Sequence, residues 1–210
     1  MRIWHLLLCT LCVASTLTAQ QADRGVFSIQ RGGTPLGREE FSYQPAADSN
    51  GGGMLASLAR YPATGPTVQI QAMLEQGPGG AVVALQLDTR RPGGVNRVLG
   101  AALKDNLTIR QSTSAAETVR EYPRAAGIVI LDDSVFALYQ AVAQRATTAG
   151  ARMQVLFPRS GRRGQLTATR SDPTTIDLTG VVGGTLTVDA SGRLMRVVLS
   201  DGISAIRQSK

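Results

Sequence analysis

At 210 residues, with 43% hydrophobic content and a formal net charge of +7, the chain is long enough to bury a core of its own without covalent staples. Its two cysteines, Cys9 and Cys12, its one histidine, His5, and its one tryptophan, Trp4, all lie in the first 12 residues. Without that stretch the chain excludes disulfides, a Ser-His-Asp triad, a thiol nucleophile and an ordinary zinc site.

The same stretch reads as an export leader. Arg2 supplies a positive start, Ile3 to Val13 is nearly continuous apolar sequence centred on Leu6, Leu7 and Leu8, and small and polar residues follow as far as Ala19. This order predicts a secretory signal peptide over 1–19, cleaved before Gln20. The apolar run is shorter than the roughly 20 residues a spanning helix needs, and no later run reaches that length. The expected product is a single β-rich domain over 20–210, periplasmic or secreted, with no transmembrane segment after cleavage.

From Phe27 onward, apolar and polar residues alternate with period two, the pattern of half-buried strands. Phe27–Ile29 and Phe41–Tyr43 predict an opening hairpin broken at Gly32-Gly33-Thr34-Pro35. Val68, Ile70, Ala72 and Leu74 form the next clear stripe, and Gly77-Pro78-Gly79-Gly80 separates it from Val83, Leu85 and Leu87. Further stripes run through Leu107 and Ile109, Met153 to Phe157, Leu166 and Ala168, Ile176 and Leu178, and Leu186 and Val188, ending at Ile203. Asp105-Asn106, Ser171-Asp172-Pro173 and Ser191-Gly192 supply tight reversals between them. Connections this short exclude helical crossovers, so most neighbouring strands are expected to be antiparallel. Asn50-Gly51-Gly52-Gly53 is a loop without the Lys-Ser or Lys-Thr pair of a phosphate loop.

One segment changes period. From Asp133 to about Ala146 the spacing becomes helical, with Val135, Phe136, Tyr139, Val142 and Ala143 on one face. Asp132 or Asp133 is placed to cap its first turn, and Gly150 to stop it. The expected fold is therefore mainly β: an antiparallel curved sheet or open barrel with one amphipathic helix.

No catalytic site emerges from the remaining residues, and no cofactor or metal is expected. Asp132-Asp133 and Glu39-Glu40 are adjacent carboxylates, but strand neighbours point to opposite faces. They read as a helix cap and a solvated strand face. Leu87-Asp88-Thr89 is followed by Arg90 rather than the glycine of an aspartic-protease signature, and Ile176-Asp177-Leu178-Thr179-Gly180 carries an extra leucine. Neither lysine, Lys104 or Lys210, sits in a Ser-x-x-Lys setting.

Nearly all the positive charge is arginine. A basic surface favours anionic partners such as phospholipid or lipopolysaccharide head groups. No nucleic-acid partner is expected, because the chain is exported, holds 4% aromatic residues and lacks a basic stripe interleaved with stacking side chains. Arg159, Arg162 and Arg163 cluster in the loop Pro158–Gly164, where guanidinium groups can grip a phosphate. The helix face carrying Phe136 and Tyr139 reads either as plain core or as the lid of an apolar cavity over a curved sheet. The second reading gives a ligand site: an acyl chain against Phe136 and Tyr139, its head group met by Arg159, Arg162 or Arg163.

Three stretches carry a family resemblance. They are Phe27-Ser28-Ile29 with Pro35-Leu36-Gly37-Arg38-Glu39-Glu40-Phe41, then Ile130-Leu131-Asp132-Asp133-Ser134-Val135-Phe136, then Leu186-Thr187-Val188-Asp189-Ala190-Ser191-Gly192-Arg193-Leu194. In these the chain resembles a group of secreted bacterial β-rich proteins of uncharacterised function. That group is similar, at the level of fold, to lipoprotein-localisation factors and to proteins assigned to glycolipid binding. The resemblance implies a curved open β-barrel closed by a helix, and carries no catalytic role. The expected function is a non-catalytic envelope protein binding a lipid, glycolipid or acylated peptide. The alternatives are a ligand-free structural or protein-interaction module and, third, a carboxylate-based hydrolase.

Overall fold

The computed structural model describes residues 22–46, 52–104, 106–123 and 127–209. The expected leader over 1–19 and its cleavage point before Gln20 lie outside the described residues.

Eight strands follow one another as an antiparallel meander: β1 (Asp23–Arg31), β2 (Thr34–Pro45), β3 (Gly53–Tyr61), β4 (Val68–Gln76), β5 (Val82–Arg91), β6 (Gly94–Leu103), β7 (Asn106–Ser112) and β8 (Glu117–Pro123). After a two-residue strand, β9 (Val129–Ile130), and a helical segment, a second meander begins. It comprises β10 (Ala151–Phe157), β11 (Arg162–Arg170), β12 (Thr175–Gly180), β13 (Gly184–Val188), β14 (Leu194–Leu199) and β15 (Ile203–Arg207). The last strand returns to the first, pairing Phe27 with Arg207 and Arg31 with Ile203. All fifteen strands thus form one sheet, with β8 and β9 at its two edges and no ladder between them.

The period-two stripes decide which face is inside. Phe27 and Ile29, Phe41 and Tyr43, Ile70, Ala72 and Leu74, Leu85 and Leu87, and Leu107 and Ile109 are all buried. Val155 and Phe157, Leu166 and Ala168, Ile176 and Leu178, and Leu186 and Val188 continue that face through the second half. The opening hairpin turns where expected, on Gly32 and Gly33, both at positive φ (55° and 85°), a conformation glycine adopts without steric cost. One pair departs from the antiparallel expectation: β9 runs parallel to β10, Val129 opposite Val155. The helical segment between them supplies the crossover that a parallel pair requires.

That segment is shorter and more enclosed than its sequence pattern implies. A 3-10 turn, Phe136–Tyr139, leads into α1 (Gln140–Arg145). Phe136, Ala137, Leu138, Tyr139, Ala141, Val142 and Ala143 are each no more than 6% exposed. A helix apolar on nearly all sides is one surrounded by protein. It packs against β2, β3, β11 and β14 and fills the concave side of the sheet as a plug.

Candidate functional site

The plug is anchored at its start by a buried carboxylate from the sheet. On β2 the inward phase runs Gly37, Glu39, Phe41, Tyr43, which carries Glu39 into the core at 0% exposure. Its Oε2 accepts the Phe136 N–H at 2.7 Å and its Oε1 the Ala137 N–H at 3.2 Å, while the Ser57 hydroxyl donates to Oε1 at 2.5 Å. Glu39 therefore caps the 3-10 turn from 97 residues away in sequence. Burial pushes its carboxyl up from 4.5 to about 7, against the pull of these three donors, and the nearby Asp132 charge adds to the rise. The reading of Glu39-Glu40 as a solvated face is thus corrected for Glu39, while Glu40 is exposed and pairs with Arg60 at 3.0 Å.

The aspartates do not cap the helix, because it begins three residues beyond Asp133. Asp132 Oδ1 instead accepts the Ser134 N–H at 2.9 Å. Arg159 grips the same carboxylate with two donors, Nε to Oδ2 at 2.6 Å and Nη2 to Oδ1 at 2.5 Å. The Tyr61 hydroxyl reaches the Ser134 carbonyl at 2.7 Å. Its ring lies so close over Gly37 that a Cβ there would sit 2.5 Å from it. Arg162 Nη2 meets Asp133 Oδ1 at 2.5 Å, and the guanidinium covers the Phe157 ring at 3.8 Å. Two of the three expected head-group arginines are thus committed to aspartates beside the plug's first turn.

Phe136 and Tyr139 are 1% exposed and stacked, with ring centroids 6.3 Å apart. The void between the plug and the strands carrying Tyr43, Leu55 and Leu74 is about 10 Å³, about the minimum for a single water molecule. The five expected site residues therefore do not converge on one cavity. Phe136 and Tyr139 sit in the core, Arg159 and Arg162 in ion pairs, and Arg163 stands apart.

Arg163 is exposed, has no carboxylate partner among the described residues, and lines a groove of about 220 Å³ at the sheet's seam. The groove separates the end of β8 from β9 and β10. It is lined by Tyr122 and Pro123 from the end of β8, by Ile128 just before β9, and by Gln154, Val155 and Leu156 of β10, with Arg163 of β11. Farther along, the Gln111 side chain donates to the Arg159 carbonyl at 3.3 Å, tying the two halves together. Tyr122 and Ile128 are not among the site residues expected from the sequence. Their signal was an interrupted stripe, with apolar residues flanking a break in the alternation before Val129.

No family model and no curated protein matches the chain. Solved structures are similar to it, two of them as follows. One is a DUF1089 family protein from Pseudomonas aeruginosa, with a TM-score of 0.50 and 14% identity over 75% of this chain and 87% of that one. The other is a beta-barrel-like protein of domain of unknown function DUF1849 from Brucella abortus, with a TM-score of 0.53 and 9% identity over 88% of this chain and 94% of that one. At these identities the likeness is one of fold. The chain shares the architecture of β-barrel-like proteins of unknown function, as a mostly antiparallel sheet that stays unclosed. No described helix is long and apolar enough to cross a membrane.

Proposed function

We propose that the protein is a non-catalytic, exported binding protein of the cell envelope that takes a lipid, glycolipid or acylated peptide at the seam of its sheet. The observation that carries this reading is the seam groove: largely apolar walls with Arg163, which has no carboxylate partner among the described residues, at the rim. Apolar burial along Tyr122, Ile128 and Val155 would supply affinity, and Arg163 would meet an anionic head group by charge-assisted hydrogen bonds. We place the site here rather than against Phe136 and Tyr139 because the space beneath the helix is filled. That same solid interior favours the second reading, a ligand-free protein-interaction module.

A fluorescent fatty-acid displacement titration separates the two. Saturable binding is expected for the wild type. Ile128→Asp, at a half-buried position, is expected to abolish it at every ionic strength. Arg163→Gln is expected to weaken it mainly at low salt, since exposed charges are screened over about 10 Å at 0.1 M. No saturable binding by the folded wild type leaves the interaction module as the function.

A further inference from the structure

Five arginines are half-buried among the described residues: Arg60, Arg145, Arg159, Arg170 and Arg207. Three of them have a carboxylate partner, Glu40, Asp132 and Asp23 respectively for Arg60, Arg159 and Arg207. The two without one, Arg145 and Arg170, line the same cavity of about 790 Å³. It lies where α1 ends against the β4–β5 turn.

The hydrogen bonds of these two groups go to backbone carbonyls only. Arg145 donates from Nη1 to Gly127 at 2.8 Å and from Nη2 to Gly80 at 2.5 Å. Arg170 donates from Nη1 to Pro173 at 3.1 Å and from Nη2 to Ala143 at 3.2 Å. Neither Nε has a hydrogen-bond partner among the described residues. Carbonyl dipoles hold the groups in place without neutralising them, and burial presses the Arg145 guanidinium below its usual range. The one carboxylate among the described residues of the wall, Asp23, is taken up by Arg207 at 2.5 and 3.0 Å. A third guanidinium, Arg193, also faces the cavity but is held by Asp189 at 2.8 Å. Counted over the described residues the site is therefore net positive, and the rest of its wall includes amide and hydroxyl side chains, among them Gln144 and Ser191. Its volume falls within the range of about 300–1,000 Å³ typical of small-molecule sites.

We infer that this cavity binds a sugar-sized polar molecule bearing an oxyanion, a phosphate or a carboxylate, with Arg145 and Arg170 supplying the opposing charge. The site shares no lining residue with the seam groove and stands whether or not that groove takes a lipid. The mature protein is titrated calorimetrically with glucose 1-phosphate, with glucuronate and with neutral glucose. Saturable, salt-sensitive binding of at least one anion is expected, and none of glucose; which anion binds distinguishes phosphate from carboxylate. Gln144→Glu sets a competing carboxylate in the wall at an exposed position, so its fold is expected to be unchanged. Both variants should weaken anion binding by at least about tenfold, Arg170→Gln by removing a charge partner of the anion and Gln144→Glu by repelling it and competing for the guanidinium groups. Binding of neither anion, equal binding of glucose, or wild-type affinity in both folded variants overturns the assignment.

Discussion

The two ends of the buried helical segment solve the same electrostatic problem in opposite ways. At its start every buried charge has a partner of its own: three donors converge on Glu39, and Arg159 closes on Asp132 with two hydrogen bonds. At its end, Arg145 and Arg170 lean on carbonyl oxygens and face a cavity. The first arrangement is a lock, since a buried and satisfied network has one low-energy geometry. The second leaves charge available to something outside the chain. The first end thus serves stability, and the second is where recognition is proposed.

Removing the lock's apolar anchor should have the largest effect. Phe136→Ala deletes a 1% exposed ring stacked on Tyr139 and should cost about 3–5 kcal/mol in urea unfolding. Arg170→Gln, at the other end, should cost well under half as much. Equal losses would erase the distinction between the two ends.

Glu39 gives the next effect, and it has a sign. A carboxyl held up at about 7 in the folded protein ionises less readily there than in the unfolded chain, where the value is near 4.5. Its stabilising contribution is complete below about pH 4.5 and is lost as pH rises through 7, a change of about 3 kcal/mol at most. Thermal melts should therefore show the wild type losing stability from pH 5 to pH 7.5 relative to Glu39→Gln. The variant keeps an acceptor for the Phe136 and Ala137 amides but cannot ionise. Parallel pH profiles for the two proteins would mean that the carboxyl titrates normally.

The cap from Glu39 is not legible as such in the chain, and of the two readings of the helix face, plain core or lid, the structure shows plain core; both features left traces in the sequence. The strands were legible because alternation and Gly, Pro and Asp turns act locally, and Phe41 and Tyr43 fall inward as their phase dictates. Glu39 shares that phase, as Ser57 does between Leu55 and Ala59, so a polar residue in the inward register was the available signal. That signal is weak because a charged side chain on a strand is usually solvated. In the helical segment, Ala137, Leu138 and Ala141 lie off the predicted face yet are apolar, which marks a surrounded helix rather than a lid. The seam could not be read at all. It exists because the sheet curls until its two edges, β8 with Tyr122 and β9 beside Val155, approach without pairing, and no local pattern records that curvature.

Within the lock, the Asp132–Arg159 pair should rank below Glu39. Asp132 is 3% exposed but Arg159 keeps 25% of its side chain in solvent. Asp132→Asn weakens a charge-assisted fork without leaving the Ser134 amide unpaired, and should cost about 1–3 kcal/mol. Urea unfolding at two salt concentrations should give nearly the same loss, because a buried pair is little screened. A loss that vanished at high salt would place this pair with the surface pairs and weaken the description of the helix start as a lock.

The smallest effect concerns the neighbouring pair, Arg162–Asp133, where two contributions can be told apart. The side chains are 43% and 63% exposed, so the ion pair itself should contribute less than about 0.5 kcal/mol and fade with added salt. The Arg162 guanidinium also lies 3.8 Å over the ring of Phe157, which is 1% exposed. That contact should be worth about 0.5–1 kcal/mol and should respond weakly to salt, because it depends on the ring's quadrupole and on stem packing. Asp133→Asn should therefore be nearly silent at high salt, while Arg162→Ala keeps most of its cost there. A double-mutant cycle gives the coupling directly. Coupling above about 1.5 kcal/mol at high salt would exceed what an exposed pair supplies. It would then place Asp133 inside the lock, with the basic loop pinned to the helix start as firmly by Arg162 as by Arg159. Coupling below about 0.5 kcal/mol leaves Arg162 a stacking residue and Asp133 a solvated one, and confines the lock to Glu39, Asp132 and Arg159.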